Sequence, residues 1–292
     1  MSATDDFVVH RNLLFTVAYE ILGSASDAED VLQESWLRWA EVDHAEVRDP
    51  RAYLVRVVTR QALNRLRTQS RRRETYVGPW LPEPLLTAPD VADDVALAEH
   101  VSIAMLRVLD TLAPVERAVF CLHEVFGFGY DEIAAAVDKS EAACRQIASR
   151  ARRHVAARRP RVADGVDRGA VMERFMAACA GGDLQAFLDV LAPDVVLISD
   201  GGGRAAAALR PITGRDKVVR FITGLASQAN DYAAVRLEPV PVNAQPGFEI
   251  FLDEQRATTV VARVDGAVIS EIYFMRNPDK LARMDGVVAL AH

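Results

Sequence analysis

Gly78, Pro79, Pro82, Pro84 and Pro89 crowd the stretch from Tyr76 to Pro89. A proline inside a helix costs about 3 kcal/mol, and one in a central strand removes a ladder hydrogen bond. The stretch can be neither, so it reads as a connection between separately built parts. Pro160 to Asp167 reads as a second break. At 292 residues the chain has room for roughly two or three domains. The expected organisation is a helical domain over 1–75, a linker over 76–99, a second helical domain over 100–160, and a third domain over 168–285.

Hydrophobic periodicity makes the first two parts helical. Phe7, Leu13, Leu14, Val17, Ala18, Ile21 and Leu22 recur at helical spacing and stop at Gly23. Ser26 is the expected N-cap of a helix reaching Glu41, with Asp27, Glu29 and Asp30 in its first turn. Pro50 suits the start of a helix to about Arg72. In the second block, Pro114 opens a helix ending near Gly127. Tyr130–Val137 forms a short one, Asp138 and Lys139 turn, and Ser140 caps a helix to about Arg159.

Past Asp167 the pattern changes. Helices are expected around Ala170–Ala180, up to Leu191, and over Gly214–Ala226. Between and after them come β-rich runs at Val195–Ser199, Tyr232–Val240, Phe248–Asp253, Thr258–Val264 and Ala267–Met275. Asp265-Gly266 signals a hairpin. Helices followed by a mostly antiparallel sheet predict an α+β domain behind two all-α ones.

The net charge of −7 conceals segregation. Arg48 to Arg73 holds nine arginines against the single acid Asp49, and Arg145 to Arg161 holds seven arginines and no acid. Two basic runs on an acidic background are the electrostatic form of a two-site nucleic-acid reader. Either run alone reads better as a solvated helix face. No apolar run could span a bilayer, and Met1 to His10 lacks the basic start of a secretory signal. Cys121, Cys144 and Cys179 are odd in number and far apart, so they suit a reducing compartment and form no metal-ligand cluster. A cytoplasmic location, with no membrane partner, is expected.

At 100° per residue, Arg56, Arg60, Asn64 and Arg67 fall on one narrow arc of their helix. Arginine there can hold phosphate or stack on an unpaired base. A basic amphipathic helix could also meet a membrane surface or an acidic partner. In the Tyr130–Arg153 segment, Ile133, Ala134, Val137, Cys144, Ile147, Ala148 and Ala151 make inner faces. Arg145, Gln146, Ser149 and Arg152 stay outside, behind Ser140. This matches a helix-turn-helix whose second helix enters the major groove, where Arg and Gln read guanine and adenine edges. An ordinary αα-hairpin has the same pattern.

The run Asp27-Ala28-Glu29-Asp30-Val31-Leu32-Gln33-Glu34-Ser35-Trp36 resembles the polymerase-binding motif of extracytoplasmic-function sigma factors. Asp49-Pro50-Arg51-Ala52-Tyr53-Leu54 through Arg67 resembles the segment that melts and reads the −10 promoter element. Leu109 to Arg153 resembles the reader of the −35 element. Trp80-Leu81-Pro82-Glu83-Pro84, Asp200-Gly201-Gly202-Gly203-Arg204 and Asn277-Pro278-Asp279-Lys280-Leu281 resemble the signatures of a sigma group with a fused SnoaL-like, NTF2-like domain. That group usually has Lys where this chain has Arg204.

The resemblance implies an alternative sigma factor that takes core RNA polymerase, through its clamp and flap, to specific promoters. Asp27, Asp30, Gln33, Glu34 and Trp36 would bind polymerase. Arg56, Arg60, Asn64 and Arg67 would contact the −10 element, and Ser140, Arg145, Gln146, Ser149 and Arg152 the −35 element. Trp80, Pro82, Glu83, Asp200, Gly201, Gly202, Gly203, Arg204, Asn277, Pro278, Asp279 and Lys280 would form an interdomain regulatory contact, making a separate anti-sigma protein unnecessary. No catalytic residue, metal or cofactor is expected. Two alternatives remain. One is an isomerase- or cyclase-type SnoaL-like enzyme fused to a DNA-binding regulator, with Asp194, Asp200, Asp253, Glu249, Glu271 and Tyr273 as candidates by residue type alone. The other is a ligand-sensing transcription factor that works without polymerase.

Overall fold

The computed structural model describes residues 3–88, 95–158, 167–229, 231–284 and 286–292, without the side chains of residues 3, 70–72 and 95. The expected break at Pro160–Asp167 lies outside the described residues except for Asp167. The chain divides into two compact units. The first comprises Met1–Glu74, Asp90–Arg159 and Val288–His292, and the second comprises Thr75–Pro89 and Pro160–Val287.

In the first unit, α1 (Ala3–Leu22) ends where Gly23 turns to positive φ. α2 (Ala25–Ala40) is capped by Ser24, whose side chain accepts from the Asp27 amide. Ser26, the expected cap, lies inside the first turn and meets the Ser24 hydroxyl at 3.0 Å. Both serines suit the position, and hydroxyl chemistry alone does not choose between neighbours. α3 (Pro50–Glu74) starts at Pro50, with Asp49 Oδ1 accepting from the Ala52 amide at 3.0 Å. Leu14, Val17, Ile21, Val31, Trp39, Leu54 and Val58 form the buried interior these helices share.

α4 (Val95–Val101), α5 (Ile103–Leu109) and α6 (Pro114–Phe120) follow, and α6 runs into one π-helical turn, Cys121–Val125. α7 (Tyr130–Val137) is closed by Asp138 at φ 55°, and Ser140 caps α8 (Glu141–Ala156) by accepting from the Ala143 amide. Cys144, Ile147, Ala148, Ala151 and Val155 make the buried stripe of α8, as the periodicity requires. The two helical blocks pack into one compact unit in this structure. α3 packs on α7 and α6, and α1 on α6. Sharing one interior removes more apolar surface from water than either block would bury by itself.

In the second unit, α9 (Arg168–Gly181), α10 (Leu184–Val190) and α11 (Arg215–Ala229) cover one face of a sheet. The strands are β1 (Leu86–Thr87), β2 (Leu191–Asp200), β3 (Ile212–Thr213), β4 (Val235–Val242), β5 (Gln245–Leu252), β6 (Gln255–Asp265) and β7 (Val268–Met275), with helix α12 (Pro278–Leu281) after β7, and β8 (Val287–Val288) falls at the division between the units. Their order is β3-β2-β7-β6-β5-β4-β1-β8. β2 and β7 pair in parallel, and β3 through β7 otherwise pair antiparallel. Phe175, Phe187, Val195, Leu197, Phe248, Val260, Ile272 and Phe274 lie in the core between helices and sheet. The Pro-rich stretch is no free linker. It carries β1, which pairs with β4, and it belongs to the second unit. Proline tolerates this because β1 begins only at Leu86, after Pro84, and spans two residues.

Candidate nucleic-acid interface and motif cradle

On α2, alternation of buried and outward positions separates the candidate polymerase contacts. Gln33 and Glu34 are exposed. Asp30 and Glu34 lie beside Arg65 of α3, Glu34 at 3.8 Å. Trp36 is half-buried, edge-on to Phe7 with centroids 5.1 Å apart, whereas Trp39 is core. Asp27 is turned inward. Burial alone would raise its carboxyl, but hydrogen bonds from Gln69 and Arg65 (2.6 Å to Arg65 Nε) hold it below the usual carboxylate range. Asp27 therefore ties α2 to α3 and is not free for a partner.

The α3 arc faces α7. Arg60 Nη2 donates to the Ala135 main-chain oxygen at 2.7 Å. Arg56 lies 4.9 Å from the Tyr53 ring centroid and lines a cleft of about 650 Å³ with Asp49, Asp131 and Glu132. Asn64 and Arg67 are exposed and bond each other at 3.0 Å. On α8, Arg145, Gln146, Ser149 and Arg152 are exposed on the side away from the buried stripe. Arg145 reaches Glu141 at 3.0 Å, and Arg152 pairs with Glu124 through Nε at 3.1 Å. These exposed pairs are worth little in water and exchange readily for phosphate.

The three remaining motifs converge inside the second unit. Asp200 ends β2, and its neighbour Met275 ends β7, so the parallel pairing brings Asn277–Lys280 beside the glycine turn. Lys280, only 4% exposed, places Nζ 2.7 Å from Asp200 Oδ2, itself fully buried. The same nitrogen donates to the Leu81 main-chain oxygen and sits 3.4 Å from the Trp80 ring centroid. Asp200 Oδ2 accepts from the Leu81 amide at 2.9 Å, and Oδ1 accepts from the Tyr76 hydroxyl and the Gly202 amide. Asn277 donates to the Tyr76 oxygen at 2.8 Å and caps α12. Burial first, and then the Asp200 carboxylate, push the Tyr76 hydroxyl upward. Gly202 has φ 59°, and a Cβ there would fall on the Asn277 amide. That is why glycine stands at this point.

Around this cradle, Pro82 and Glu83 are buried, while Arg204 and Asp279 pair at the exposed rim. Pro278 and Gly203 are also exposed. Sequence reasoning missed Tyr76, which lies outside every motif. It also missed Asn243, whose Oδ1 accepts from the Leu85 amide at 2.9 Å while its own amide donates to the Leu85 oxygen. Asn243 in a positive-φ turn was a legible signal.

The candidate acids do not gather in the helix–sheet interior. Phe248, Ile272 and Phe274 face the helices, so by alternation Glu249, Glu271 and Tyr273 face the other way. Glu249 pairs with Arg256 at 2.6 Å, and Glu271 with Arg263 and the Tyr273 hydroxyl. Asp194 is exposed, and Asp253 forms the β5–β6 turn. Among the described residues no group of three His, Cys, Asp or Glu could hold a metal ion, and no helix is long and apolar enough to cross a membrane.

Three family models match in chain order: Sigma-70 region 2 over residues 7–72, Sigma-70 region 4 over 102–155, and the SnoaL-like domain over 172–272. The extracytoplasmic-function RNA polymerase sigma factor SigJ of Mycobacterium tuberculosis is 40% identical over 288 residues, covering 94% of this chain and 92% of that protein. The probable sigma factor SigI of the same organism is 31% identical over 278 residues, covering 93% and 92%. The crystal structure of SigJ superposes with a TM-score of 0.77 at 37% identity, covering 96% of this chain and 98% of that one. The chain belongs to the extracytoplasmic-function sigma factors, as an alternative sigma factor that initiates transcription and carries a fused SnoaL-like domain.

Proposed function

We propose that this sigma factor is regulated in the same chain by its SnoaL-like domain, acting through the segment that joins the two promoter readers. The observation that carries the reading is the buried Asp200–Lys280 pair closed over Tyr76, Trp80 and Leu81. Thr75–Pro89 follows region 2 directly and leads into region 4. Holding it fixes how much chain is free between the two readers. A fused domain acts at high effective concentration, so no separate anti-sigma protein is needed.

In this reading α2 meets the polymerase clamp through Asp30, Gln33, Glu34 and Trp36, and region 4 meets the flap. Arg56, Arg60, Asn64 and Arg67 contact the −10 element, and Arg145, Gln146, Ser149 and Arg152 contact the −35 element, with Ser140 positioning α8. The hold of α7 on Arg60 keeps the −10 reader occupied in the free chain, and core polymerase sets the two readers apart. The test is binding of promoter DNA by the chain alone and with core, followed by run-off transcription. Weak binding alone and promoter-specific transcripts with core support the reading. Tight sequence-specific binding by the isolated chain overturns it.

A further inference from the structure

We propose that Glu20 is a proton-linked latch between region 2 and region 4, holding the first unit closed while its carboxyl is neutral and releasing it as the pH rises. This rests on the reading above, in which the two regions separate to engage a promoter.

Glu20 lies on α1 and is fully buried, and among the described residues neither carboxyl oxygen meets an N–H or O–H donor. Arg117 of α6 is 2% exposed, and among the described residues its Nη2 has no hydrogen-bond partner. Its Nε donates to the Glu20 main-chain oxygen at 2.7 Å, and its Nη1 pairs with Asp110. Asp110 also takes Arg73 of α3 at 3.2 Å. The chain Arg73–Asp110–Arg117 thus sets two guanidinium groups against one carboxylate, so a single positive charge is left to oppose the neutralising effect of burial on Glu20. Cys121, also fully buried, opens the π-helical turn after α6 and turns its weakly donating thiol toward Glu20. π-turns recur at functional sites because they interrupt regular packing. From α2, the buried carboxylate Asp27 is taken by Arg65 and Gln69, and His100 of α4 meets the Phe120 ring.

A carboxylate buried without a strong donor is heavily disfavoured, so the group neutralises. Burial pushes the Glu20 carboxyl up to about 8, with Cys121 and Arg117 only partly opposing it. Separating α1 from α6 would hydrate it and return it to the ordinary range near 4.3. The closed form therefore binds one more proton than the open form between those two values. Opening is favoured by up to about tenfold per pH unit across that window and levels off above the closed-form value.

The experiment is amide hydrogen exchange of the α6 and π-turn peptides in the full-length chain, from about pH 6 to pH 8.5, with each rate divided by its intrinsic rate. The corrected opening constant should rise steeply with pH in the natural chain and lose that slope in Glu20→Gln. Infrared spectra at neutral pH should show a protonated carboxyl band that Glu20→Gln lacks, which remains decisive if the variant folds poorly. A flat profile in the natural chain, an equal slope in Glu20→Gln, or no such band overturns the latch. Run-off transcription with core, measured separately, tests the underlying promoter reading. Transcripts with a flat exchange profile sink the latch alone.

Discussion

At the residue scale, two buried carboxylates, each held by a cation and hydrogen-bond donors, make distinct predictions. Asp200 has Lys280 and three other donors. Removing one partner of such a pair leaves a buried charge unanswered. Lys280→Met or Asp200→Leu should therefore destabilise the second unit by about 3–5 kcal/mol, measured by chemical denaturation. A loss under about 1 kcal/mol would mean the pair is solvated in solution. Asp27 is held below its ordinary value by Gln69 and Arg65. Its contribution is complete above the unfolded value of about 3.9 and is lost as pH falls through the lower native value. The Tm gap between the natural chain and Asp27→Asn should be largest near neutrality and shrink in strong acid. The cradle was half-legible in the sequence. The three motifs pointed to one contact surface, but Tyr76 carries no pattern, and its role arises only because β2 and β7 end side by side.

At the scale of elements, α8 is the clearest case of a legible helix, because a single apolar stripe fixes which side chains remain outside. If that outer face reads bases, Arg145→Ala and Gln146→Ala should each cost about 1–3 kcal/mol on the preferred −35 sequence and relax specificity. Arg153→Ala, which takes away a charge suited to phosphate, should instead weaken all sequences alike. Binding assays on variant promoters with core separate the two outcomes. On α2, reversing Asp30 and Glu34 to Lys should weaken core binding while leaving thermal stability nearly unchanged, since both carboxylates are about half exposed. Equal core affinity would contradict the clamp assignment. The β elements were less legible. Asp265-Gly266 marked its hairpin, whereas the β4–β5 and β5–β6 turns carry only the weaker signal of Asn243 and Asp253 at positive φ, without glycine. The parallel β2–β7 pair joins segments about 75 residues apart by number, and no local pattern announces such a partner.

At the scale of the whole molecule, the sequence divided the chain at its prolines, but connectivity and packing are different partitions. The proline-rich stretch joins the second unit, and the two sigma regions share the first. Local propensity sees only where a helix must stop, not which surface the following chain will cover. In the proposed function, the Asp200–Lys280 cradle controls transcription through that stretch. The direct measurement is run-off transcription with purified core polymerase from a promoter selected by the holoenzyme, comparing the intact chain with Trp80→Ala, Asp200→Asn and a chain ended after Pro160. The account predicts that all three change transcript yield several-fold while core affinity stays within about twofold of the intact chain. If all three transcribe like the intact chain, the SnoaL-like domain is not a regulator in cis.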